Sequence, residues 1–186
     1  IIYGMGEKPV IELCQRLDKN IPIYNITDIP QTVYLAPEAD INGNISSNDI
    51  VLHSHEECLK DKKAQASNFR HIEEESNKMH AQRLLQKVGN EYVVVNPPYP
   101  PMTTEEIDAS FDLPYTRLPH PKYKNKRIPA YEMIKHSVNI HRGCFGGCAF
   151  CTISAHQGKF ISSRSKESII SEVKKVAAMP DFKGYL

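Results

Sequence analysis

The chain has 186 residues, an apolar fraction of 40% and a charged fraction of 24%, a makeup that fits a globular protein and excludes disordered or collagen-like chains. Lys and Arg number 23 against 22 Asp and Glu, and this balance argues against nucleic acid or a membrane surface as an obligate partner. No apolar run reaches the ~18 residues of a membrane helix, no stretch reads as a secretory leader, and the five cysteines are too few for a disulfide scaffold. A reducing cytoplasm is therefore expected, where clustered thiols mean metal or redox chemistry.

In chain order, Ile1 to Tyr3 reads as the tail of a running strand. A glycine turn at Gly4 to Glu7 leads into a helix over Glu7 to Leu17, with Pro9 tolerated in its first turn. Its apolar positions, Cys14 among them, fall at helical spacing and predict a core-facing stripe. Strand, turn and helix together make half of a βαβ unit. Loose alternation over Ile21 to Ala36, broken by Pro22 and Pro30, predicts short edge strands. Residues 41–48 read as loop. Ser54 and Glu57 form a capping box for a long charged helix over His55 to Val88. Gly89-Asn90 stops that helix, and Glu91 to Val95 is a β-branched strand. Asn96 to Pro101 is a stiff connector, Thr104 caps a short helix near Glu105 to Ala109, and Leu113 to Ala130 is irregular. The basic run Lys122, Lys124, Lys126 and Arg127 reads as a solvated loop, with RNA contact as its alternative use. Ser137 to His141 predicts a strand, Ser165 caps a helix with Glu167 in its first turn, and Pro180 ends it. Lys183 to Leu186 reads as the start of a further strand, so both ends look trimmed from something longer.

The expected architecture is α/β: an N-terminal βα piece and short strands in 1–53, a long helix and Pro-rich linking region in 54–130, and a βα unit with a cysteine loop in 131–186.

That loop is the informative stretch. Cys144, Cys148 and Cys151 are spaced C-x3-C-x2-C. Three thiolates so close repel one another unless a cation offsets their charge. Gly143, Gly146 and Gly147 let the backbone curl around a compact ion or cluster, with amides turned toward sulfur. Three protein ligands with no nearby fourth cysteine leave an open position, which implies chemistry or an external ligand. Zinc is the competing metal, with His141 or His156 as fourth ligand. An electron-transfer iron–sulfur protein is a third reading, disfavoured because such clusters normally take four protein ligands. Cys14 is expected in the core, and Cys58, beside His53 and His55, as an ordinary helix thiol.

C-x3-C-x2-C with Phe150 just before the last cysteine resembles the signature of radical S-adenosylmethionine enzymes. Tyr131 to Val138, Arg142 to Cys148, Ser162 to Ser165, Tyr3 to Glu7 and His55 to Lys63 look like the YgiQ-type radical SAM proteins. The likeness spans nearly the whole chain, while those proteins are much longer. It implies that Cys144, Cys148 and Cys151 each hold one iron of a 4Fe–4S cluster, whose fourth iron takes S-adenosylmethionine. Phe150 would lie on the adenine side. Ser163 and Arg164, just before the helix capped by Ser165, are placed to reach the cofactor's carboxylate, the arginine as a charge-assisted donor, with a plain surface arginine as the alternative reading. The implied chemistry is reductive cleavage of S-adenosylmethionine to a 5′-deoxyadenosyl radical acting on an unknown substrate. The electron would come from a donor protein such as a flavodoxin or ferredoxin. The resemblance also implies that 131–186 begins a parallel β/α barrel and that the N-terminal piece ends a cobalamin-binding-like domain. The barrel's later strands would lie beyond Leu186, so residues 1–186 alone are expected to carry the cluster ligands and turn nothing over.

Overall fold

The computed structural model describes residues 1–124 and 126–185, and among these the side chains of all but residues 155 and 156. It is α/β. The chain divides into two units, residues 1–101 with 143–160, and residues 102–142 with 161–185.

In the first unit, helix α1 (Glu7–Asp18) precedes strand β1 (Val33–Pro37), helix α2 (Glu38–Asn42), strand β2 (Asp49–Leu52), helices α3 (His55–Lys60) and α4 (Lys62–Ser76), and strands β3 (Arg83–Val88) and β4 (Glu91–Val95). The sheet runs β1-β4-β3-β2, antiparallel except for the parallel β2/β3 pair. Parallel neighbours need a long crossover, and α3 and α4 supply it. The one long helix expected over His55 to Val88 is thus two helices and a strand. Asp61 leaves helical space (φ −127°, ψ 112°), and its carboxylate accepts the Lys63 N–H to start α4. At the far end Asn77 turns back to donate to the Glu73 carbonyl, 2.7 Å away, and the chain then enters β3. Gly89 at φ 60° and Asn90 form a two-residue turn that pairs Val88 with Glu91, the hairpin geometry with glycine in its first central position.

One sheet face is closed by Ala36, Tyr92, Val94 and Leu85, with Ile41 of α2 packed among them. Leu85 and Val94 are fully buried, and full burial of such a side chain stabilises by about 2 kcal/mol. The segment expected as loop therefore opens on the last two residues of α2, of which Ile41 is a core residue. Of the strands expected in 21–36, only β1 forms, at the sheet edge, while Ile23–Asn25 is a 3-10 turn.

The N-terminal residues are not part of a parallel βαβ half. Ile2 bridges Thr32 in antiparallel fashion, and the Val33 N–H donates to the Ile1 carbonyl. Two buried amides hold this hook in place. Gln31, at φ 64°, donates to the Tyr3 and Met5 carbonyls, and Asn96 donates to the carbonyls of Thr27 and Ile29 and to the Thr32 hydroxyl. On α1, Pro9 is buried, but Val10, Ile11, Cys14 and Leu17 are exposed. The expected core position of Cys14 is corrected accordingly: its stripe is apolar, yet no described element covers it.

The second unit holds helices α5 (Thr104–Phe111) and α6 (Pro129–Ile134), strands β5 (His141–Arg142) and β6 (Ser162–Ser163), and helix α8 (Lys166–Ala177). Helix α7 (Ile153–Gln157) belongs to the first unit. Thr103, not Thr104, caps α5, because only Thr103 has a glutamate (Glu106) three residues on to complete a capping box. Ser165 caps α8 as expected. The strand expected over Ser137 to His141 shrinks to two residues and pairs antiparallel with β6. Carbonyls that a longer strand would offer to a neighbour go to arginines instead, Ser137 to Arg117 and Asn139 to Arg164. Residues 183–185 form no strand, and Leu186 lies outside the described residues.

Candidate functional site

The cysteine loop occupies residues 143–151 of the first unit. Gly143 and Gly147 take positive φ (89° and 58°), which L side chains resist, so these two glycines set the curl. The Gly146 N–H points to Cys144 Sγ at 3.4 Å, and Cys148 Sγ lies 3.8 Å from the Gly146 carbonyl oxygen. A Cβ on Gly146 would sit 3.3 Å from Cys144 Sγ, closer than ordinary contact, so the absence of a side chain leaves room for that sulfur. The Cys151 N–H donates to the Cys148 carbonyl at 3.0 Å, which sets the third thiol one turn further on. A backbone clasp closes the loop at its base, with the Cys144 N–H donating to the Gly158 carbonyl at 3.0 Å.

Among the described residues, no three His, Cys, Asp or Glu side chains gather tightly enough to hold a single metal ion. A cluster of several irons asks less, since each thiolate binds its own iron and the three need not converge on one point. The donor set suits such a group: three thiols in one loop, a backbone amide turned to sulfur, and glycines where the backbone must bend. His141 lies in β5, and the His156 side chain lies outside the described residues.

Phe150 is 91% exposed and Phe145 is 82% exposed, two unpacked aromatic rings flanking the thiols in sequence. Ser163 is exposed in β6, while the neighbouring Ser162 hydroxyl is buried without a partner among the described residues. Arg164 is buried within the second unit. Its side chain is 0% exposed, it donates to Ser168 Oγ at 2.7 and 3.2 Å and to the Asn139 carbonyl at 2.9 Å, and it pairs with Glu172. Its guanidinium lies over the Phe111 ring, 4.5 Å from the centroid. Glu172 also pairs with Arg117, so one carboxylate joins two arginines. With these donors engaged inside the second unit, Arg164 ties the end of β6 to α8 in this arrangement. Sequence reasoning missed Phe111, Arg117 and Glu172, which no short motif marks.

Cys58 is partly exposed and accepts the Asn68 amide at 3.1 Å, an ordinary thiol held by a buried asparagine. The first unit also contains a cavity of about 310 Å³, one wall of which is built by residues of the segment that follows Cys151. Tyr3 and Tyr99 line it. Burial pushes the Tyr3 phenol up to about 12, and burial followed by the hydrogen bond to Glu12 does the same for Tyr99. Both phenols are therefore neutral donors at ordinary pH, to the Asn96 carbonyl and to Glu12.

Comparison with known proteins converges on one family. The model described as Radical SAM N-terminal matches residues 1–137, a span that stops short of the cysteine loop. A UPF0313 protein of Bacteroides thetaiotaomicron is 64% identical over the whole of this chain and 32% of its own length. A UPF0313 protein of Porphyromonas gingivalis is 62% identical over the whole chain and 29% of its own length. The UPF0313 protein YgiQ of Escherichia coli (strain K12) is 36% identical over the whole chain and 32% of its length. The chain thus spans about a third of the length of these curated relatives. No solved structure matches.

Proposed function

Because the chain belongs to the radical SAM N-terminal family, we propose that its parent protein is a radical S-adenosylmethionine enzyme and that Cys144, Cys148 and Cys151 hold its 4Fe–4S cluster. The observation that carries this reading is the loop itself, three thiols at C-x3-C-x2-C around a Gly146 whose amide faces Cys144 Sγ. When bound, such a cluster supplies the electron that cleaves the cofactor's sulfonium and starts radical chemistry on a substrate. The chain's own residues bind and shape. Gly143 and Gly147 fix the curl, the Gly146 amide lends a partial positive charge to a thiolate, and the clasp from Cys144 to Gly158 holds the loop ends together. Phe150, exposed beside Cys151, offers an apolar face to the adenine, and Ser163 offers a hydroxyl.

In the same reading, residues 131–186 begin the barrel, and the portion of the relatives beyond this chain completes it. The electron arrives from a reduced flavodoxin- or ferredoxin-type donor, and the cytoplasm is the working compartment. No helix among the described residues is long and apolar enough to cross a membrane. Activity is assigned to the whole protein, and residues 1–186 contribute the cluster ligands.

Iron, sulfide and zinc per chain after anaerobic reconstitution test this directly. Near-stoichiometric 4Fe–4S, lost in Cys148→Ser, with a spectral change on adding S-adenosylmethionine to the full-length protein, is the expected result. One tightly held zinc with no uptake of iron would refute it.

A further inference from the structure

The cavity in the first unit is larger than packing defects in protein interiors, and 310 Å³ falls at the lower end of the range for small-molecule sites. Its apolar wall comes from four separate stretches of chain: Met5 of the N-terminal hook, Ile72 and Met79 around the end of α4, Leu84 of β3 with Pro98 beyond β4, and Phe160 after the cysteine loop. Ile72 and Met79 are 43% and 50% exposed, so the mouth is open to solvent.

The charges on that wall are matched among themselves. Lys159 pairs with Glu73 at 2.6 Å. Glu75, nearly buried, pairs with Lys78 at 2.5 Å and accepts the Gln82 N–H at 2.7 Å. The two tyrosine hydroxyls are spent on Asn96 and Glu12. A charged ligand entering here would lose hydration and meet counter-charges that are already paired, whereas an apolar one gains by contact alone. Gly158, which lines the cavity, is the same residue whose carbonyl accepts the Cys144 N–H. Cavity wall and cysteine loop are therefore one continuous piece of backbone.

We infer that this cavity is a binding site for an uncharged, apolar, C–H-rich group about the size of a fused aromatic ring, and that it holds that part of the substrate beside the cysteine loop. The substrate role rests on the cluster reading above; the binding site does not.

Indole serves as the uncharged probe and indole-3-acetate as its charged counterpart, added to the full-length protein carrying 13C-methyl methionine. The Met5 and Met79 signals are assigned through Met5→Leu and Met79→Leu. Indole is expected to shift these two methyls saturably and to leave Met102, Met133 and Met179 in place. Indole-3-acetate is expected to bind at least tenfold more weakly, and Met79→Lys, a change at a half-exposed position, to weaken indole at least tenfold. The site is refuted if neither methyl shifts, if all methionines respond alike, or if the charged probe binds as well as the neutral one. Iron and sulfide measured on the same samples separate the two readings. Indole binding without iron uptake refutes the cluster reading and leaves the cavity standing, and iron uptake without indole binding does the reverse.

Discussion

Arg164 discriminates between a cofactor-binding and a structural role more sharply than any other residue in the second unit. Its side chain is 0% exposed and is shared among Ser168, the Asn139 carbonyl and Glu172, with the Phe111 ring stacked on it. Arg164→Met would leave the Asn139 carbonyl and the Ser168 hydroxyl short of a donor, while Glu172 keeps Arg117. Removing one partner of a buried ion pair costs 3–5 kcal/mol, and the surviving Arg117 pairing puts this case at the lower end, about 3 kcal/mol. That corresponds to roughly a 150-fold rise in local opening. Arg164→Lys is expected to lose most of the same energy, because an ammonium cannot serve three acceptors spread along a planar fork. Hydrogen exchange of the α8 amides in the full-length protein reads this out, with Ser163→Ala as the exposed control that should leave protection unchanged. If Arg164→Met left α8 protection intact and abolished S-adenosylmethionine binding, the structural assignment would be wrong and the arginine would be a ligand.

Two further outcomes follow from the loop and the sheet. Gly147 sits at φ 58° with no neighbour within 4 Å of an added Cβ, so Gly147→Ala pays only backbone strain of about 1–2 kcal/mol. Cluster retention under chelator challenge should then fall roughly 5- to 30-fold, and Gly147→Asn should recover much of it because asparagine tolerates this backbone region. Equal retention in wild type and Gly147→Ala would show that the curl does not limit cluster binding. In the sheet, Arg83 donates to Asp49 at 2.9 and 2.6 Å and thereby holds the Asp49 carboxyl below its usual range, against the opposing effect of burial. A depressed carboxyl contributes stability that is complete above the unfolded value of about 3.9 and is lost as pH falls through the native one. The stability gap between wild type and Asp49→Asn, measured by urea unfolding, should therefore be widest near pH 6 and close toward pH 3. A gap independent of pH would remove the ion pair as its cause.

Local signals in the sequence were legible where the physics is local. The Ser54 and Ser165 caps, the β-branched strand at Glu91–Val95 and the glycine-bearing cysteine loop all stand where residue chemistry over a few positions puts them. The helix expected through Val88 failed because Leu84, Leu85 and Val88 repeat at a spacing that suits a helical stripe as well as a strand. The Gly89-Asn90 pair between two apolar runs was the hairpin signal that resolves this ambiguity. The apolar stripe of α1 identified a face and not its cover, so Cys14 was assigned to a core that the described chain does not supply. The partners of Arg164 were not legible for a different reason. Its stacking ring lies 53 positions upstream, and Glu172 is shared with an arginine 55 positions away from it, pairings that no window of sequence contains.

The clasp between Cys144 and Gly158 has a thermodynamic consequence. Closing a loop of this length costs about 2 kcal/mol in chain entropy, and a backbone hydrogen bond returns only about 1 kcal/mol net, so an open form stays within reach of the clasped one. A group bound at the thiols and a molecule lodged against Gly158 would each favour the clasped state over the open one. Linkage then requires that they strengthen one another by the same factor. An occupied cavity would slow cluster loss, and a loaded loop would tighten its guest, through the clasped stretch of backbone they share.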